Sequence, residues 1–215
     1  MFAGAGRRLG MVALVLAAGC AGSGFQYISN TSDDVFFKVP DKWTVFDEND
    51  VITSGVVNLE DDMAAALRDR TWLRGFDAAP QPSPLTVLNR ISPYPRGYAE
   101  VRHLTFEERD GLSLAALRSW GFGFDPLQRM RDEPDGDVQI LHLEDVAHDD
   151  GAHGLRLIVL LRADADTSVV DQTVLLDKET TRLYRFTIGC SLNCYRDNQK
   201  LITDIAESWT LKEVP

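Results

Sequence analysis

Residues 182–209, RLYRFTIGCSLNCYRDNQKLITDIAESW, constrain the fold more tightly than any other stretch of the chain. The first seven alternate. Tyr184, Phe186 and Ile188 fall on one side, and Leu183, Arg185 and Thr187 on the other, which is the two-residue period of a strand with one well-buried face. From Asn193 the period changes. Cys194, Leu201, Ile202, Ile205 and Trp209 share one broad stripe of a helix, with Asn193 placed as its N-cap. Cys190 and Cys194 stand at the junction. A bond between them would tie the strand's end to the helix's first turn and fix the angle between the two. Two other readings of the pair stay open. A redox pair prefers C-x-x-C, whereas the spacer here is three residues. A metal site needs two further ligands, yet no histidine lies near and no second cysteine pair exists.

The third cysteine has a different setting. MFAGAGRRLGMVALVLAAGC opens with Arg7 and Arg8, continues with a short run of apolar and small residues, and ends in small residues before Cys20. That order describes a secretory signal over residues 1–19. The apolar run falls well short of the ~20 residues that span a bilayer. Ala17-Ala18-Gly19-Cys20 resembles the lipobox of bacterial lipoproteins. The resemblance implies a diacylglycerol on the Cys20 thiol and cleavage just before it, with ordinary secretion as the alternative. Cys190 and Cys194 then remain as an even pair in an exported protein, where disulfides persist. The tether Ala21–Gly24 reaches less than about 20 Å at ~3.5 Å per residue, so the body should sit close to the membrane face.

Charge narrows the partners. The chain carries 22 Lys and Arg against 33 Asp and Glu, a net charge of -11. Nucleic acid binding works by clustered basic residues displacing counterions, and no such cluster occurs. Anionic headgroups would repel this body, so an anchor at Cys20, rather than the domain surface, should hold it to the membrane.

Along residues 25–215 the pattern is mostly strands. They are expected at Phe25–Ile28, Val35–Val39, Trp43–Phe46, Leu85–Ile91, Tyr98–Phe106, Val138–Ala147, Leu155–Leu161 and Val169–Leu176. Helices are expected over LEDDMAAALRDRTWLRGF, with Leu73 on its apolar face and Gly75 past its end, and over LSLAALRSW, with Ser113 as cap. The sequence HDDGAH supplies an Asp-Gly hairpin turn. Short polar connections make the sheet mainly antiparallel. Without repeats or internal linkers, residues 25–215 read as one α+β domain with helices packed on the faces of the sheet.

VFFKVPDKWTVF resembles the opening of PsbP-like and Mog1-like domains: a strand, a Val-Pro turn, then Trp on the next strand. RLYRFTIGCSLNCYRDN and ITDIAESWTL resemble the ending of a group of actinobacterial lipoproteins of unassigned function. The resemblance implies an α/β/α sandwich. It carries no activity and no functional residues beyond the lipobox and the cysteine pair.

Candidate chemistry is sparse. No G-x-S-x-G occurs. His148, Asp149, Asp150 and His153 cluster at the hairpin turn, where a solvated turn is favoured over a zinc site. Glu107-Glu108 and Asp132-Glu133 are adjacent pairs, which rarely converge on one substrate. His103 and His142 occupy strand positions. The stretch SWGFGFDP places Trp120, Phe122 and Phe124 between glycines after a helix, either as core under a loop or as a protein-binding patch. The sequence therefore points to a non-catalytic envelope lipoprotein with no cofactor or metal, binding a protein partner. A carrier of a small hydrophobic ligand is the alternative, and an envelope hydrolase comes third.

Overall fold

Alternating apolar residues turn most of the chain into strands, and short capped helices fill the gaps. The computed structural model describes residues 24–53, 61–87, 91–163 and 166–211; Cys20 and the expected signal lie outside them. The described elements are β1 Phe25–Asn30, β2 Val35–Pro40, β3 Thr44–Phe46, α1 Glu48–Thr53, α2 Asp61–Arg70, β4 Thr71–Asp77, β5 Arg96–His103, α3 Phe106–Asp110, α4 Leu114–Ser119, α5 Pro126–Asp132, β6 Val138–Ala147, β7 His153–Ala163, β8 Asp166–Leu176, β9 Arg182–Ser191, α6 Leu192–Ala206 and β10 Thr210–Leu211. A 3-10 turn spans Pro84–Thr86.

Seven strands form one sheet in the order β3-β4-β5-β9-β8-β7-β6, and β1-β2-β10 form a smaller one. Every described ladder is antiparallel. The fold is α+β with helices on an antiparallel sheet, as the sequence implies. Two meanders, β3-β4-β5 and β6-β7-β8-β9, join along β5 and β9 with Glu100 opposite Arg185 and Tyr98 opposite Thr187.

The two faces of the large sheet are covered differently. On one, β2, α6 and Trp209 close over a continuous core. Its centre is aromatic: Phe186 lies 5.4 Å from Phe37, 5.5 Å from Phe76 and 5.7 Å from Trp209, ring centre to ring centre. Gly97 makes this possible, because a Cβ there would run into the Thr187 carbonyl and come within 2.9 Å of the Phe76 ring. The Cys190–Cys194 disulfide, with Cα atoms 5.9 Å apart, clamps the end of β9 to the first turn of α6. On the opposite face the apolar residues form two separate clusters. Val51, Leu73, Val87 and Tyr98 pack beneath α1 and the 3-10 turn. Leu117 and Phe122 pack onto Leu155, Leu157, Val159 and Val170 beneath α4.

Several expected elements shift. The helix read over residues 59–76 stops at Arg70, and Thr71–Asp77 becomes β4. Thr71, Trp72 and Phe76 suit a pleated strand, and the ladder to β5 outweighs the helical period that included Leu73. Pro84 starts a 3-10 turn where a strand was expected from Leu85. β5 ends at His103 because Thr105 and Glu108 form a capping box that opens α3. The cap of α6 is Ser191, whose hydroxyl accepts from the Cys194 amide at 3.4 Å, so the expected Asn193 lies inside the helix. Trp209 lies past the end of that helix and is still buried in the core. Above all, β9 is buried on both faces, not one.

Candidate functional site

The second buried face of β9 carries Arg185 and Thr187, and it floors a cavity of about 300 Å³. The cavity lies where the two apolar clusters fail to meet. Val51, Ile52 and Leu67 come from α1 and α2, Leu73 from β4, and Gly121 from the loop after α4. Its floor is polar. Arg96, Tyr98, Glu100 and Arg102 project from β5 at every second position, beside Arg185 from β9.

Glu100 is the hub. It is 1% exposed and pairs with Arg185 Nη2 through Oε2. Its Oε1 accepts from Arg102 Nε at 3.0 Å and lies 2.9 Å from Arg102 Nη2. Burial pushes the Glu100 pKa up, but the Arg185 and Arg102 guanidiniums outweigh it and hold the carboxyl below its ordinary range. Burial also works against charge on Arg185, and facing Glu100 raises its pKa in spite of that. Glu100 is thus a fixed anion at neutral pH, suited to holding guanidiniums rather than exchanging protons.

The arginines are positioned from several sides. The Arg185 guanidinium stacks 4.7 Å over Tyr98, and that of Arg102 lies 5.4 Å over Trp120. Gly121, at φ +79°, passes so close to Arg185 that a Cβ there would collide with Nη1. Gln172 ties the loop down by donating to the Trp120 carbonyl at 2.9 Å, while its Oε1 accepts from Thr187 Oγ1 at 3.2 Å. Arg96 donates to the Thr86 carbonyl at 3.0 Å and lies 3.7 Å from Asp77 Oδ2.

Among the described residues, four buried side-chain polar atoms have no hydrogen-bond partner: Thr71 Oγ1, Arg96 Nε, Arg185 Nε and Trp209 Nε1. The first three belong to residues that line this cavity. The orphaned atoms themselves are closed off from that space, and Arg96 Nε is the atom that faces Asp77 Oδ2 at 3.7 Å, so it is the rest of each side chain that lines the cavity.

The structure divides the aromatic stretch singled out in the sequence. Phe122 turns inward and is 9% exposed, Trp120 is half-buried over Arg102, and Phe124 is 37% exposed. The loop is therefore partly core and also the wall of the cavity. The histidine-aspartate turn supports its own backbone: Asp150 Oδ1 accepts from the Ala152 amide at 2.8 Å, and His153 Nδ1 lies 3.1 Å from the Gly151 carbonyl. Among the described residues no group of three or more His, Cys, Asp or Glu side chains is placed to hold a metal ion. His103 pairs with Asp33 at 3.1 Å and His142 with Glu144 at 3.3 Å, both away from the cavity. Glu108 serves the α3 cap, accepting from the Thr105 amide at 2.7 Å. No described helix is long and apolar enough to cross a membrane. Sequence reasoning missed Arg96, Glu100, Arg102 and Arg185. Their signal was a charged residue in the middle of an apolar strand, AEV in β5 and YRF in β9.

No protein family matches the sequence, and no curated protein does. Solved structures with a similar chain path include the cyanobacterial PsbP (CyanoP) of Synechocystis, at 15% identity over 93% of this chain and 99% of that one, with a TM-score of 0.46. The Ran-binding protein Mog1p of Saccharomyces cerevisiae is similar at 11% identity over 87% of this chain and 95% of its own, with a TM-score of 0.40. A Pseudomonas aeruginosa protein of unknown function is similar at 9% identity over 89% of this chain and 98% of its own, with a TM-score of 0.37. The first two are the kinds of domain that VFFKVPDKWTVF resembles, and no residue role is taken from any of the three.

Proposed function

We propose that the chain is a non-catalytic binding module of the cell envelope: one domain, residues 25–215, held at the outer face of the cytoplasmic membrane through lipid on Cys20. Its binding site is the cavity over β5 and β9. The observation that carries this reading is the cavity itself, about 300 Å³ with an apolar wall of Val51, Ile52, Leu73 and Val87 over a charged floor of Arg96, Glu100, Arg102 and Arg185. A volume of about 300 Å³ lies at the lower end of the small-molecule range, so the passenger is small. The charged floor sets it apart from a carrier of purely hydrophobic molecules. The address rests on the LAAGC sequence.

A second reading, docking of a protein partner on the Trp120 loop, is favoured by Phe124, an exposed aromatic on the segment that walls the cavity. Native mass spectrometry of protein gently extracted from its own envelope tests both. We expect a diacylglyceryl mass on Cys20 and a small passenger released on unfolding. Protein retaining residues 1–19 or an unmodified Cys20 refutes the anchor. A stoichiometric protein passenger with an empty cavity moves the conclusion to the second reading.

A further inference from the structure

We propose that the outward face of the β1–β2 hairpin lies against the lipid headgroups and fixes which way the domain faces at the membrane. This rests on the reading of Cys20 as the lipid anchor.

Tether length limits the choice of face. Ala21–Gly24 separate Cys20 from Phe25 and reach less than about 20 Å. A domain of this length has a radius of gyration of about 16 Å, or roughly 40 Å across. The tether therefore holds to the bilayer only a surface near its own exit. The Gly24 carbonyl accepts from the Asp41 amide at 3.0 Å, so the chain leaves the fold beside the start of β1 and the end of β2.

The residues at that exit suit a bilayer interface. Ile28, Val35, Phe37 and Val39 point into the core. The alternate positions point outward: Phe25, Tyr27 and Ser29 from β1, and Phe36, Lys38 and Pro40 from β2. None of these six is a carboxylate, in a chain with 33 Asp and Glu. Tyr27 is 58% exposed although it stacks on Phe36 at 5.7 Å. Lys38 lays its Nζ 4.9 Å over the Phe25 ring. A tyrosine with an apolar body and a polar tip, and a lysine on a long stem, are side chains that settle at headgroup level. Beside the tether, Asp41 and Lys42 are both exposed and offset each other. The hairpin face thus avoids the repulsion that the acidic body as a whole would meet. Lipid supplies the hold and the face supplies the orientation. β2 covers one face of the large sheet and the cavity lies on the other, so the sheet stands between bilayer and cavity.

The test uses the full lipidated chain, purified from its envelope and reconstituted into phosphatidylcholine vesicles. A nitroxide is attached at Ser29→Cys, on the hairpin face, or at Leu114→Cys, 51% exposed on α4 across the sheet. Cys190 and Cys194 are bonded and Cys20 carries the lipid, so the introduced thiol alone takes the label. Collisions with a water-soluble nickel chelate and with oxygen report depth. The label at position 29 should lose most of its nickel collisions and gain oxygen collisions, whereas the label at position 114 should keep both at the level of open water. Adding Tyr27→Ser and Phe36→Ser should return position 29 to the level of position 114. If that variant does not fold, Tyr27→Ser alone, at the more exposed ring, should give part of the return. Protein that floats with the vesicles but shows equal nickel access at both positions overturns the orientation and leaves the anchor standing. Shielding of position 114 in place of 29, or shielding of 29 that survives the serines, also overturns it. Protein that does not float with the vesicles overturns the anchor, and the orientation with it.

Discussion

The Glu100–Arg185 pair should cost the protein stability relative to an apolar replacement, and two variants can show it. Glu100→Gln removes the carboxylate that pairs with Arg185 in the floor, while Arg185, 9% exposed in the wild type, keeps its charge. Removing one partner of a buried pair typically destabilises by about 3–5 kcal/mol, because the other charge is left buried. For a domain of this size each kcal/mol moves the melting temperature by about 2–4 °C, so Glu100→Gln should melt roughly 6–20 °C lower. Replacing both residues with apolar groups of similar volume, Glu100→Leu with Arg185→Met, leaves no buried charge in the pair. Arg102 is 22% exposed and keeps Glu108 at 3.7 Å. The double variant should match or exceed the wild type, by up to about 4 kcal/mol, as buried pairs replaced by hydrophobes often do. The assay is thermal unfolding of wild type, Glu100→Gln and the double variant by circular dichroism. If the double variant melts as low as Glu100→Gln, the pair is a structural requirement of the fold, and the reasoning from the cost of its burial is refuted.

Three further outcomes follow from the same contacts. Cys190→Ser with Cys194→Ser opens a five-residue loop, and chain entropy puts its contribution at about 2 kcal/mol; urea unfolding should show a loss of that size, and no loss would mean the clamp is idle. Phe122→Ala should cost about 3–5 kcal/mol and Phe124→Ala under about 1 kcal/mol, since only Phe122 is buried; equal losses in thermal melts would place both rings in the core. The folded-state pKa of Glu100 lies below its ordinary 4.5, so its contribution is complete above about pH 4.5 and disappears as pH falls through the lower folded value. The stability of Glu100→Gln should therefore fall less steeply than wild type in acid, and parallel acid-unfolding curves would contradict the assignment.

Local signals were legible where one element decided its own conformation. Ser113 caps α4 as its hydroxyl requires, accepting from the Ala116 amide at 3.1 Å, and β6 runs from Val138 to Ala147 as its residues imply. The Cys190–Cys194 disulfide, expected from an even cysteine pair in an exported chain, sits where the strand period gives way to the helix. Legibility failed where a distant strand intervened. Thr71–Asp77 continues the acidic helix pattern before it, and only pairing with β5 makes it a strand. Arg185 alternates with Tyr184 and Phe186, and a charged residue on the second face of a strand reads as solvent-facing. Its partner Glu100 lies 85 positions away, so nothing local revealed that the second face is also covered.

The placement of the cavity follows from how stability is distributed over the sheet. One face is closed by β2, α6 and the aromatic cluster around Phe186, a continuous apolar core pinned by the disulfide. That face can hold the meanders together at the β5–β9 seam by itself. The other face is then free of that task, and its cover splits into two clusters, one under α1 and one under α4. The gap between them falls on the seam, where both strands are fixed on the opposite side. A charged floor is tolerable only on such a rigid, externally stabilised base, because guanidiniums that could move would collapse onto carboxylates or reach water. The same arrangement makes the site separable from the fold. Replacing Glu100 and Arg185 together should change what is bound at little cost to the fold, whereas substitutions at Ala99 and Val101, whose side chains enter the opposite core, should change whether the protein folds.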